Sequence, residues 1–210
     1  MEISIPKYLK SFIRVLHVSP KTPTVDIYIN NSPVIKELRY RGFTEYMPIA
    51  AGTYNIKIYV SGTNTVLLND TITIDPNKIL TIAAIGLGPK SLSLFPILDP
   101  KLNIDNTKAY LRFIQLSPNT PPVDIVTSNG IRLFKNTSYK QKQNYIQLNP
   151  QIYAVDMKLA DTTTSILYVP NIKLMPNKFY TIYSVGLLND NPPLQVLIPL
   201  DGNSYISFYS

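Results

Sequence analysis

The 210-residue chain is 45% hydrophobic and 16% charged, a balance that excludes a disordered polymer and suits one large core or two smaller ones. It has no cysteine, which excludes disulfides and thiolate metal sites, and one histidine, which removes most imidazole-based acid–base and metal arrangements. The net charge of +7 contains no long block of one sign and reads as a mildly basic, solvated surface.

In chain order, residues 1–10 carry Ile3 and Ile5 in alternation and read as an N-terminal extension strand. They lack the basic start and long apolar core of a secretory signal, and no apolar run in the chain reaches the ~20 residues of a membrane span. Residues 11–18 are β-rich and stop at Ser19-Pro20. In the stretch Ser19-Pro-Lys-Thr-Pro-Thr-Val-Asp-Ile27, Pro20 and Pro23 fix φ and remove two donors, so this is a corner between strands. Strands are expected at Val25–Asn30 and Val34–Leu38. A strand pair, Thr44–Ile49 with Thr53–Val60, is expected around Ala51-Gly52. Val66–Ile74, a Pro76-Asn77-Lys78 turn, Ile79–Ile85 closed by Gly86, and Leu92–Leu98 complete the unit.

The pattern then recurs. Gln115-Leu-Ser117-Pro118-Asn-Thr-Pro121-Pro-Val-Asp124-Ile repeats the corner, with Ser19 and Ser117 98 residues apart. The offset becomes 99 at Tyr46/Tyr145 and Tyr54/Tyr153, so one residue is inserted in a loop. Asn129-Gly130 is a hairpin signal, and Asn149-Pro150-Gln151 stands in place of the glycine turn. Pro170 within Ser165–Met175 marks an edge or bulged strand. Residues 203–210, with Tyr205, Ile206 and Phe208, read as a C-terminal extension strand. Short strands with frequent turn signals and no sustained helical period make the chain all-β: two tandem β-sandwiches over residues 11–102 and 107–202.

Arg14-Val-Leu-His-Val-Ser-Pro-Lys-Thr-Pro-Thr-Val-Asp-Ile-Tyr28 closely resembles the opening of a bacterial family known as domain of unknown function 4397, whose form is R-V-x-H-A-S-P-x-A-P-x-V-D-V-Y. Ile49-Ala-Ala-Gly-Thr-Tyr54 resembles that family's L-P-A-G-T-Y hairpin. The second copy is divergent, with Gln115 in the place of His17. The resemblance implies tandem immunoglobulin-like or transthyretin-like antiparallel sandwiches in exported surface proteins, without an established enzymatic activity. Since the opening lacks a signal, deposition on a cell or spore surface from the mother cell is expected, with the cytoplasm as the alternative.

Candidate residues reduce to one structural motif in two copies: Arg14, His17, Ser19, Pro20, Pro23 and Asp26, then Arg112, Gln115, Ser117, Pro118, Pro121 and Asp124. His17 is expected to be a structural hydrogen-bonding residue. Asp26 and Asp124 enter apolar strands, where a bare charge is costly, so each should pair with its arginine (Arg14 for Asp26) or cap backbone; a cation site is the minor alternative. No catalytic, cofactor or metal site is expected, and no nucleic-acid motif accompanies the tyrosines beside Lys and Arg (Tyr40/Arg41, Tyr139/Lys140, Lys142/Tyr145). The expected function is a non-enzymatic structural or adhesive surface protein that associates with itself or other surface proteins by β-strand addition, anchored by Ile3, Ile5, Tyr205, Ile206 and Phe208. The alternative is a module for carbohydrate or an anionic cell-wall polymer, using the basic tyrosine-bearing loops.

Overall fold

The structure is a computed structural model that describes residues 10–100, 102 and 104–208. Ile3 and Ile5, and with them the expected N-terminal strand, lie outside the described residues. The chain divides into two units, Met1–Lys101 with Tyr205–Ser210, and Leu102–Ser204.

The first unit holds β1 (Lys10–His17), β2 (Val25–Ile29), β3 (Ser32–Leu38), β4 (Met47–Ala50), β5 (Gly52–Val60), β6 (Val66–Ile74), β7 (Ile79–Ile85) and β8 (Ser93–Leu98). The second holds β9 (Ala109–Gln115), β10 (Val123–Thr127), β11 (Arg132–Thr137), β12 (Ile146–Leu148), β13 (Ile152–Leu159), β14 (Ser165–Lys173), β15 (Lys178–Val185) and β16 (Gln195–Leu197). Each unit is a sandwich of two four-stranded sheets. The orders are β4-β1-β7-β8 over β3-β2-β5-β6, and β12-β9-β15-β16 over β11-β10-β13-β14. The ladders are antiparallel except β1–β7 and β9–β15, which run parallel.

Alternation builds the cores. On β2, Val25 and Ile27 face in, and on β5, Ile56 and Ile58 do; across from them Ile13, Val15, Ile82 and Ala84 close the first core. The second uses Leu111, Phe113, Val123, Ile125, Val155, Met157 and Ile182. Each fully buried Ile, Val or Leu contributes about 1.5–3 kcal/mol relative to exposure, so these inward rows dominate the stability of each unit. Pro170 sits on β14, which is a sheet edge, where a missing donor breaks no ladder.

Two expectations are corrected here. Thr44–Ile49 and Thr53–Val60 do not pair: β4 lies on β1 in one sheet, and β5 lies between β2 and β6 in the other. Only Ala51 separates β4 from β5, too little for a two-residue hairpin, so the chain crosses between sheets instead. The Tyr54 hydroxyl donates to the Ala50 carbonyl at 2.8 Å and pins this crossing, as Tyr153 does to Asn149 at 2.9 Å in the second unit. The second correction concerns residues 203–208, which are not a strand. Gly202–Ser204 is a 3-10 turn, and Ser204 Oγ accepts from Phe179 N at 2.8 Å. Beyond it the segment packs on the first unit, with Phe208 buried edge-on to Phe12 at 5.6 Å and Tyr205 edge-on to Tyr46 at 6.2 Å. Ile206 is half-buried. Aromatic burial thus wins over ladder formation for this segment.

Candidate functional site

The twice-occurring motif forms structural networks. Ser19 Oγ donates to the Gly86 carbonyl at 3.1 Å and accepts from Thr22 Oγ1 at 2.8 Å; Ser117 does the same with Gly186 (2.7 Å) and Thr120 (2.7 Å). These bonds tie the corner, stiffened by Pro20 and Pro23 or by Pro118 and Pro121, to the end of β7 or β15. Here glycine is required: Gly186 has φ 86°, and a Cβ on it would sit 2.1 Å from the Pro193 carbonyl oxygen.

Arg14 and Asp26 do not pair, because the corner sends β1 and β2 into different sheets. Arg14 is buried, donates through Nε to Thr81 Oγ1 at 2.8 Å, and stacks on Phe43 (4.9 Å) and Tyr46 (4.7 Å). The Tyr46 hydroxyl donates in turn to Asp99 at 2.6 Å. Arg112 repeats this with Thr181 at 2.7 Å and the Tyr145 ring at 4.5 Å, and its Nη2 lies 3.6 Å from Asp201. Flat cation stacking plus hydrogen bonds make the buried guanidinium tolerable.

Asp26 caps backbone. The β2–β3 ladder carries one extra residue on β3 between the Val25–Leu38 and Ile27–Ile35 pairs. Within this bulge Glu37 has φ 54°, and its N–H donates to Asp26 Oδ1 at 2.8 Å. Ser61 Oγ (2.8 Å) and Gly62 N (3.2 Å) also donate to Asp26. The Glu37 bond, foremost, holds the Asp26 carboxyl below its ordinary range. Asp124 receives Asn136 N (φ 47°) at 2.7 Å in the matching bulge and pairs with Arg132 Nε at 3.2 Å.

His17 is fully buried, and its Nε2 donates to the Pro23 carbonyl at 3.1 Å, so Nδ1 carries the lone pair. Burial holds its pKa below the ordinary 6.5. Gln115 is bonded differently: its Oε1 accepts from Ser117 N at 3.0 Å and from Ser184 Oγ. Among the described residues, no group of three or more His, Cys, Asp or Glu is placed to hold a metal ion. No helix there is long and apolar enough to cross a membrane.

The tyrosine-bearing loops are engaged within their units. Tyr40 meets His17 edge-on at 6.1 Å, Tyr145 stacks on Arg112, and Lys140 lies over Tyr139 at 5.4 Å. An open concavity lies elsewhere. A groove of about 520 Å³ runs along the second unit between β11 and β12, the edge strands of its two sheets. One wall is the β10–β11 turn with Ser128, Asn129 and Ile131. The other is the β12–β13 crossing with Gln147, Asn149, Gln151 and Ile152, and Tyr153 and Lys108 also line it. Ile131 and Ile152 are 57% and 66% exposed, a large apolar display; Leu133, Leu148 and Ala154 add to it, beside the amides of Asn129, Gln147, Asn149 and Gln151.

Sequence reasoning missed this site, although a signal was there. Tyr153 corresponds to Tyr54, so Gln147, Asn149, Gln151 and Ile152 stand where the first unit has Pro48, Ala50, Gly52 and Thr53. The inserted residue falls in the opposite wall: Ile125 pairs with Phe134 where Ile27 pairs with Ile35. The second copy departs from the first on both sides of the groove.

The sequence profile of the family described as Domain of unknown function (DUF4397) matches residues 11–126. The chain belongs to that family. In DUF4397 terms, the matched stretch runs through β1–β8 and on to Val126 in β10. Of the groove's lining residues it includes only Lys108. No curated protein matches the chain. Among solved structures, a carbohydrate-binding module, CBMbc (family CBM26) of Eubacterium rectale Amy13K in complex with maltoheptaose, is similar at 11% identity and TM-score 0.30, over 90% of this chain and 96% of that one. The Bacillus anthracis TIE protein is similar at 13% identity and TM-score 0.28, over 89% of this chain and 34% of that one, so this chain spans about a third of it.

Proposed function

We propose that this protein is a non-catalytic carbohydrate-binding module of the cell or spore surface, with the groove of the second unit as its binding site. The observation that supports this reading is the groove's lining. Exposed Ile131 and Ile152 suit the apolar faces of sugar rings, while Ser128, Asn129, Gln147, Asn149 and Gln151 suit their hydroxyls. Its volume of about 520 Å³ falls in the range of ligand sites, roughly 300–1,000 Å³. The test is retention of the full chain on a panel of insoluble polysaccharides, compared with Ile152→Asp. Retention that Ile152→Asp abolishes supports the reading; retention unaffected by it places the binding elsewhere.

Self-association is a second reading, favoured by β6 and β14, each nine residues long and paired on one side only among the described residues. It proceeds without Phe208, which is buried within the first unit. A chain that sediments as a monomer at high concentration would remove this reading.

A further inference from the structure

We infer that the groove reads an uncharged glycan, and that Lys108 positions the Asn149 amide instead of contacting an anion; this rests on the carbohydrate reading above. The Lys108 ammonium donates to Asn149 Oδ1 at 2.8 Å. An ammonium has donors and no acceptor, so the atom facing it is the amide oxygen, and Asn149 keeps its two Nδ2–H donors and one Oδ1 lone pair, with the N–H donors on the end away from the ammonium. The lysine thereby fixes which end of the amide a ligand meets. Sugar hydroxyl, ring and acetamido oxygens are the acceptors that such donors recognise.

Charge points the same way. Among the described residues lining the groove, Lys108 is the only charged side chain. A single, partly exposed ammonium already bonded to an amide adds less than about fivefold to the affinity for an anion. Anion sites are built instead from arginine forks or clustered cations. Lys108 is also common ground between the units, since it corresponds to Lys10, whose ammonium lies over the Phe12 ring at 5.0 Å. What the second unit adds is neutral: Gln147, Asn149 and Gln151 in place of Pro48, Ala50 and Gly52. Among the groove's lining residues the divergence builds hydrogen-bonding capacity without adding charge; Arg132, which stands where the first unit has Pro33, does not line the groove and pairs with Asp124.

The experiment titrates the full-length chain with neutral hexasaccharides (malto-, cello-, xylo- and chito-series) and with hexagalacturonate. Amide chemical shifts of Thr127–Tyr153 and calorimetry are read at about 20 mM and about 500 mM salt. A neutral series should shift the groove amides, with affinity changing less than about twofold between the two salt levels. Asn149→Ala should weaken binding about tenfold, and Lys108→Ala several-fold toward the neutral sugar at both salt levels. If hexagalacturonate alone binds in the groove, and weakens more than about tenfold at high salt, the neutral assignment is overturned while the carbohydrate reading stands. Neutral-sugar binding that Lys108→Ala leaves unchanged overturns the positioning role. If no sugar shifts any groove amide of the folded chain, the carbohydrate reading itself fails.

Discussion

Replacing Asp26 by alanine tests the idea that the Val-Asp-Ile motif exists to hold a bulge. The carboxylate accepts from Glu37 N at 2.8 Å, Ser61 Oγ at 2.8 Å and Gly62 N at 3.2 Å. A hydrogen bond to a charged acceptor contributes about 1.5–3 kcal/mol, and a donor left without a partner costs about 1–3 kcal/mol. The Ser61 and Gly62 donors lie at a turn and regain water. The Glu37 N–H sits in a bulge at φ 54°, a conformation with little intrinsic support in a glutamate. The net loss is therefore about 2–3 kcal/mol, or roughly 10–20 °C in Tm for a unit of this size. Calorimetry of Asp26→Ala against wild type measures this, and hydrogen exchange should show the Glu37 amide losing protection. Asp26→Asn keeps one acceptor oxygen and should lose about half as much. The carboxyl titrates below its ordinary 3.8 in the folded chain, so the difference between wild type and Asp26→Ala should be full above that pH. It should then shrink as pH falls through the lowered folded value. A Tm drop of less than about 2 °C, with the Glu37 amide still protected, would refute the bulge-anchoring argument.

Three further outcomes rest on His17 and on two glycines. Because burial lowers the His17 pKa, the unfolded chain takes up its proton first as pH falls below about 6.5. The wild-type urea midpoint should therefore fall from about pH 7 to about pH 5, and His17→Gln should flatten that slope; an unchanged slope would mean His17 is not buried as a neutral ring. Gly186→Ala should destabilise by about 2–5 kcal/mol in urea denaturation, combining left-handed backbone strain with a Cβ 2.1 Å from the Pro193 carbonyl oxygen. Gly130→Ala also meets a positive φ (86°) but finds open space, and should cost only about 1–2 kcal/mol.

The amino-acid sequence by itself determined most of the strands, though not the tail at residues 203–208. Alternation on Val25–Ile29 and Gly52–Val60 encodes which side chains face inward, and the Ser-Pro-x-Thr-Pro corner announces where a strand must stop. The recurrence from Ser19 to Ser117 announces a repeated unit in the chain itself. Tertiary structure alone decided which strand lies beside which. Period-two patterning is silent about neighbours, so the single residue between β4 and β5 was legible as a turn but not as a crossing between sheets. For the same reason Arg14 and Asp26 looked adjacent along the chain yet serve opposite sheets, one stacked on Tyr46 and the other holding Glu37. The groove is the furthest case. Asn129 and Ile131 lie in the turn before one sheet's edge strand, Gln147 and Asn149 on and just after the other's, and only folding brings them to opposite walls of one groove.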